Sequence, residues 1–260
     1  MKIVSWNVAG IRAMIKKGHL DKLIAENDFD IICLQETKAE EKQVKLSDGI
    51  KTKYPYRFWN STRGTTQRKG LSGTAIWCKE KPICRINEPE IDEEGRITTL
   101  EFDKFVIICV YTPNSQGLNT PRYEFRTGKW HEAFLNYIKL VKENKPAIIC
   151  GDLNVAHKDI DIHNPTNRLR NCAGFLDLER EQFQQYLDIG YVDTFRHVNP
   201  NMKEKYTYWN QLNPKNRKNN SGWRIDYCLL SDNNLIKEVD IMSEIYGSDH
   251  CPVTLELELV

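Results

Sequence analysis

Six short apolar runs in this 260-residue chain end in, or border, a side chain able to hold a cation or move a proton. IVSW leads to Asn7, IICLQ to Glu36, FVIICV to Tyr111 and Asn114, and AIICG to Asp152 and Asn154. RI and YCLL flank Asp226, and IYGS leads to Asp249 and His250. Gathered in one place, three or four of these carboxylates form a site for a hard divalent cation, which takes oxygen ligands from one or two carboxylates and leaves positions open for a substrate phosphate. Asp152 and Asn154 stand two residues apart, so extended backbone would turn both to one face, although the same pair in isolation reads equally as a turn.

A sheet edge is the element that gathers such residues. Apolar runs of this length bounded by Gly, Pro or Asn read as strands buried on both faces, here at 2–8, 30–35, 73–79, 97–102, 105–111, 147–151, 225–230 and 253–259, with their polar ends along one rim. Helix signals lie at 18–27, 121–143 and 176–188. In the second, Pro121 suits a first turn, and Trp130, Phe134, Tyr137, Ile138 and Val141 recur on one face. In the third, Leu176, Phe183 and Leu187 repeat more weakly. The segments DFDIICLQET and KPAIICGDLN look alike, which suggests a pair of packed sheets covered by helices, although three shared residues are too few for a repeat. No Gly-, Ser- or Pro-rich linker divides the chain and motif residues come from both ends, so residues 1–260 read as a single catalytic domain.

Composition narrows the class of partner. With 37 Lys and Arg against 36 Asp and Glu, the net charge is +1, so a polyanion must be attracted by local clusters and the global charge argues against pure nonspecific coating of nucleic acid. Three polar, basic loops supply such clusters, at 60–73, 164–175 and 210–223. Four of the eight cysteines, Cys33, Cys109, Cys150 and Cys228, lie inside apolar runs and read as buried thiols of a reducing compartment. Residues 1–18 carry Lys2, Arg12, Lys16 and Lys17 instead of a leader's apolar stretch, and no run approaches the length of a membrane span. The expectation is a soluble intracellular monomer, cytoplasmic or nuclear according to the cell, with no membrane partner.

The motifs carry a further likeness. At SWNVAGIRA (5–13), LQETK (34–38), GLSG (70–73), YTPN (111–114), GDLNVAH (151–157), CAGF (172–175), GWRIDY (222–227) and GSDHCP (247–252), the chain closely resembles the exonuclease III family of class II apurinic/apyrimidinic endonucleases. That family sits in the endonuclease/exonuclease/phosphatase superfamily with DNase I and inositol phosphatases. GDLN and SDH are common to the superfamily, whereas GWRIDY together with YTPN and LQETK narrows the likeness to repair endonucleases. The resemblance implies a four-layered α/β sandwich, DNase I-like, with two packed mixed β-sheets flanked by helices and the active site at one edge. It also implies hydrolysis of the phosphodiester 5′ to an abasic site in double-stranded DNA with Mg²⁺, Mn²⁺ being a substitute and the number of ions one or two. Side activities in the family are 3′–5′ exonuclease and 3′-phosphodiesterase.

Roles follow from the same resemblance. Glu36 is the principal metal ligand, with Asn7, Asp249, Asp152, Asn154 and His250 completing the candidate set. Asp152 orients or deprotonates water, and Asn154 donates to the developing oxyanion. His250 contacts the scissile phosphate while Asp226 accepts its other ring proton and fixes the tautomer. Tyr111 donates to the phosphate, with Asn114 as its positioning partner. Arg12, Lys69 and Arg96 bind DNA phosphates, which place a duplex without reading its sequence. Tyr208, Trp223 and Ile225 form an apolar pocket for a flipped baseless sugar, selective because an intact nucleotide is costly to extrude and too large to enter.

Some positions depart from the family pattern. Ala9 stands where Asp or Asn is usual, Leu71 replaces a tyrosine, Gln116–Gly117 fills the place of an arginine that some relatives insert into DNA, and Asn171 precedes Cys172 where an asparagine is usual. Two rival readings remain: a phosphatase of the superfamily acting on small phosphate esters, and a DNA damage-binding module with weak or lost chemistry. GWRIDY and the basic loops favour DNA over the first, and competent side chains at the core catalytic positions argue against the second.

Overall fold

Strand formation follows the apolar runs closely in the computed structural model, which describes residues 1–62 and 70–259. Among the described residues the strands are β1 (Lys2–Asn7), β2 (Ile31–Gln35), β3 (Tyr56–Asn60), β4 (Thr74–Cys78), β5 (Cys84–Ile86), β6 (Ile97–Glu101), β7 (Val106–Tyr111), β8 (Ala147–Asp152), β9 (Val192–Asp193), β10 (Asp226–Leu230), β11 (Ile236–Ile241) and β12 (Val253–Leu257). They build two mixed sheets, in the orders β11-β12-β1-β2-β4-β3 and β5-β6-β7-β8-β10-β9.

Period-two alternation decides which face each residue serves. Ile31 and Cys33 of β2 and Ile148 and Cys150 of β8 meet in the core between the sheets, with Cys109 and Cys228 as further free thiols. Ile32 and Leu34 turn outward against α1 (Ile11–Lys16), α2 (His19–Glu26) and α3 (Asp48–Lys53), through Met14, Leu23 and Ile50. Ala147 and Ile149 turn the other way, against α5 (His131–Val141) and α6 (Asp177–Asp188), through Phe134, Ile138 and Phe183. The result is helix, sheet, sheet, helix, the four-layered sandwich the sequence implied. α4 (Pro121–Phe125) runs into α5 through a π-helical turn at Arg126–Trp130, so the expected 121–143 helix exists with one wide turn in it. Its start is fixed by Thr120, whose hydroxyl accepts from Tyr123 N at 3.0 Å. α7 (Thr194–Val198) and α8 (Lys215–Lys218) are short.

The two sheets share one plan. Each has a single parallel pair, β1 with β2 and β7 with β8, followed by an antiparallel partner, β4 or β10. The look-alike segments are therefore equivalent strands, β2 and β8, and each delivers a carboxylate at its end. Register completes the assembly: Asp152 pairs with Asp226 across β8 and β10, and Tyr111 lies alongside Asp152 from β7.

Four strands lacked a signal in the sequence: β3, β5, β9 and β11. They are the outermost strands of the two sheets. An edge strand buries less and tolerates charge, as IKEVDI in β11 does, so the apolar run that marks an inner strand is missing.

Arg224 anchors the GWRIDY segment. Its Nε donates to Asp161 at 2.8 Å and its two terminal nitrogens to Asp193 at 3.1 and 2.7 Å, while Arg196 also pairs with Asp161. Because neighbours in extended chain point oppositely, burying Arg224 sends Trp223 and Ile225 toward the other side. Replacing Arg224 with Met leaves Asp193 buried without this partner, and the expected loss is about 3–5 kcal/mol of unfolding free energy. Chemical denaturation measures it, and an unchanged midpoint would deny the network this role.

Candidate active site

Asn7, at the end of β1, is the hub of the rim. Fully buried, it donates through Nδ2 to Glu36 at 3.0 Å and to Asp152 at 2.9 Å. Its Oδ1 is occupied by the backbone N–H of Ala9 at 3.0 Å, which also fixes the orientation of the amide. This corrects its expected place among the oxygen ligands: Asn7 presents nitrogen and spaces the two carboxylates. Ligand atoms of Glu36, Asp152 and His250 all lie within 4.8 Å of one another.

Sharp backbone turns present these side chains. Ala9, Glu36, Lys38 and Asn154 have φ of 46°, 49°, 50° and 48°, a left-handed conformation that side chains other than Gly and Asn adopt at a cost. The chain thus breaks direction just beyond β1, β2 and β8. Gly151 is needed for the close approach of β8 to β7, because at its φ of 152° a Cβ would collide with Val110 O.

Charge is arranged unevenly. Burial would raise the Glu36 carboxyl, but the Lys38 ammonium, 2.7 Å away, and the bond from Asn7 outweigh it and hold Glu36 below the usual carboxylate range. Asp152 goes the other way: burial and then the facing Asp226 push it up to about 8. For His250 burial works downward, yet Asp226, 2.8 Å from Nδ1, wins and pushes the imidazole up to about 10. In the metal-free protein this favours the charged form of His250, whose Nε2 faces Asp152 at 3.9 Å. Asp226 keeps one buried oxygen, Oδ1, without a partner. Burial, and next the charge of Glu36, raise the Tyr111 phenol well above its ordinary value, so it is a proton donor at neutral pH.

Around these groups lies a cleft of about 490 Å³. Glu36, Tyr111, Asn114, Asp152, Asn154, Asp249 and His250 line it, with Tyr208, Trp223 and Ile225 on one wall. The Trp223 ring seats against Gly174, where a Cβ would meet it at 3.3 Å. Asp249 lies on the cleft but outside the tight three-residue group. Asn114 bonds Asn154 Oδ1 at 3.0 Å, so it positions Asn154 and not Tyr111. The partner of Tyr111 is Arg96, whose guanidinium lies 4.5 Å from the ring centroid and donates to Tyr111 O at 3.0 Å. Arg96 is 3% exposed and paired with Glu94, which corrects its expected place on the DNA-facing surface. Arg12 is exposed and borders a second, smaller hollow with Lys38 and Gly70. Lys69 lies outside the described residues.

Sequence reading missed several neighbours. Lys38 falls within LQETK and drew no role of its own, yet it neutralises Glu36. Leu169 and Cys172 line the cleft, whereas Asn171 is exposed and does not. Nothing in the spacing of a polar loop distinguishes its inward residues.

The donor set fits a hard cation: two carboxylates of opposite tendency, one held ionised and the other discouraged from ionising until positive charge arrives.

Known proteins resemble the chain in sequence and fold. The sequence profile of the Endonuclease/Exonuclease/phosphatase family matches residues 4–250. An exodeoxyribonuclease of Bacillus subtilis (strain 168) is 44% identical, with 100% of each chain covered. The DNA repair nuclease APEX1 of Danio rerio is 41% identical over 99% of this chain and 82% of its own length. Among solved structures, an AP endonuclease from Archaeoglobus fulgidus superposes with a TM-score of 0.86 at 25% identity, covering 99% of both chains. A 3′ phosphatase from Neisseria bound to a product DNA hairpin does so with the same score, identity and coverage.

The His250–Asp226 pair yields a measurable consequence. A partner that stabilises the charged imidazole raises its midpoint, so removing that partner lowers it. In metal-free protein His250 should titrate near pH 10 by imidazole NMR, and Asp226→Asn should bring the midpoint down toward or below neutrality. Equal midpoints in both proteins would show that the carboxylate does not hold the proton.

Proposed function

The chain belongs to the Endonuclease/Exonuclease/phosphatase family, in its exonuclease III branch of DNA nucleases, and we propose that its reaction is Mg²⁺-dependent hydrolysis of the phosphodiester 5′ to an abasic site in duplex DNA. That is the incision step of base excision repair. The carrying observation is the convergence of Glu36, Asp152 and His250 beside a wall of Tyr208, Trp223 and Ile225. A phosphate chemistry site next to an apolar hollow suits a sugar that has lost its base.

Glu36, with Asp152 beside it, would hold the cation, which when bound supplies charge neutralisation at the phosphate. Mn²⁺ meets the same oxygen-donor requirement, and the number of ions, one or two, is left open by this donor set. Asp152 orients the attacking water and takes its proton, a role helped by a carboxylate raised toward neutrality. His250 brings a fixed positive charge and an N–H to a non-bridging oxygen. Tyr111, neutral and held by Arg96, adds an O–H. Asn154 donates through Nδ2 to Thr112 O at 2.8 Å and to Asp152 Oδ2 at 3.4 Å and accepts from Asn114, so it braces the Asp152 carboxylate and reaches a developing oxyanion only by giving up the longer of these bonds. Arg12 and Lys69 attract the backbone, and the domain works as a monomer.

The relative named exodeoxyribonuclease and the neighbour titled 3′ phosphatase favour 3′–5′ exonuclease and 3′-phosphodiesterase action at the same site. A cleft open to a strand end would accept these substrates without a second constellation.

Glu36→Gln and Asp152→Asn should each lower incision of a labelled abasic duplex by roughly 10²–10⁴-fold. The Asn variant should not melt earlier, because burial and Asp226 already discourage Asp152 from ionising and an amide fills the same space. Near-normal turnover in both variants would refute the site, and incision in EDTA equal to that in Mg²⁺ would refute the cation. Affinity for the duplex should fall with salt at a log–log slope of roughly −0.9 per phosphate contacted. A flat response, read by fluorescence anisotropy, would count against backbone docking.

A further inference from the structure

Asp249 and His250 sit on the connection between β11 and β12, residues 242–252, which contains no helix or strand. Irregular backbone at a site that demands tenths of an ångström needs partners for its carbonyl groups. One side chain supplies three. Arg217, from α8 in the basic loop 210–223, donates through Nη1 to Ser248 O at 3.0 Å and through Nη2 to Ser243 O at 3.0 Å and to Ile245 O. Its guanidinium is sandwiched between rings, 4.5 Å from the centroid of Trp209 and 4.2 Å from that of Tyr246.

Both rings belong to the same construction. Trp209 N donates to Asp249 O at 2.9 Å, and its neighbour Tyr208 bridges to His250 and packs against that imidazole, centroids 4.8 Å apart. Tyr246 precedes Gly247, which lies so close to His19 that a Cβ would stand 2.9 Å from the ring. The turn is thus closed on one side by α2 and on the other by Arg217. Lys215 and Lys218, the other cations of α8, are exposed, whereas Arg217 is turned inward.

We propose that Arg217 is a positioning residue that ties the basic loop to the turn bearing Asp249 and His250, so that seating of the loop on a DNA backbone and alignment of the imidazole are one event. A planar fork is suited to this role because it reaches three carbonyl oxygens while both of its faces stack, which a lysine ammonium cannot do. The proposal rests on the nuclease reading for its consequence but not for its geometry.

Arg217→Met, which keeps an unbranched stem but removes the donors and the stacked guanidinium, and Arg217→Lys, which keeps the charge, test it in the full chain. Three quantities are compared with the parent protein: the Kd for an abasic duplex in EDTA, the single-turnover incision rate at saturating enzyme with Mg²⁺, and the His250 imidazole resonances at fixed pH without DNA. The expected result for Met is a single-turnover rate lower by about 10- to 100-fold, little change in Kd, and displaced or broadened His250 resonances, with Lys recovering part of the rate. A rate within twofold of the parent, or a loss that appears only in Kd, overturns the proposal. If Met prevents folding, the Lys variant carries the same comparison, and parent-like resonances and rate there overturn it. If the parent itself fails to incise abasic DNA, the nuclease reading falls, and unmoved His250 resonances in the variants would separately remove the positioning role.

Discussion

Two carboxylates face each other across the ladder between β8 and β10, buried at the edge of a sheet, and the rest of the site is arranged around that awkward fact. Asp152 and Asp226 repel, and burial penalises both charges. His250 relieves one of them by lying 2.8 Å from Asp226, and it is held there by its own backbone, with Trp6 Nε1 donating to His250 O at 3.1 Å and its N–H reaching Ser248 Oγ at 3.2 Å. The other carboxylate is steadied by the Asn7 amide, which shares its two N–H groups between Asp152 and Glu36. What remains is a pair of oxygens whose natural complement is a doubly charged ion.

The inner architecture was legible in the sequence because inner strands are buried twice over. IICLQ, FVIICV and AIICG have no polar interruption, and each became the strand it suggested. The outermost strands were illegible for the converse reason: β11 and β9 carry charge or are too short to form a run. Site residues at strand ends were visible because a polar residue after an apolar run is a local pattern. Arg96 and Asn7 misled because type does not reveal partner. An arginine near a catalytic motif reads as a phosphate ligand until Glu94 is seen beside it, and an amide reads as oxygen or nitrogen until Ala9 N–H occupies one end. Arg224 and Arg217 were invisible for the same cause, since their partners in Asp161, Asp193 and Ser248 lie 31 residues away or more.

The likeness of the two sheets gives the site its economy. Equivalent strands β2 and β8 each run parallel to the preceding inner strand and each end in a turn at positive φ, at Glu36 and at Asn154 beyond Asp152. Chemistry has diverged on this shared plan. One end carries a carboxylate kept ionised by Lys38, and the other a carboxylate that burial discourages from ionising.

Trp6 and His250, joined by a hydrogen bond, are 244 residues apart in sequence. A polypeptide emerging from the ribosome therefore owns Asn7 and Glu36 long before it owns His250, and throughout that interval the ring of contacts around the site stays open.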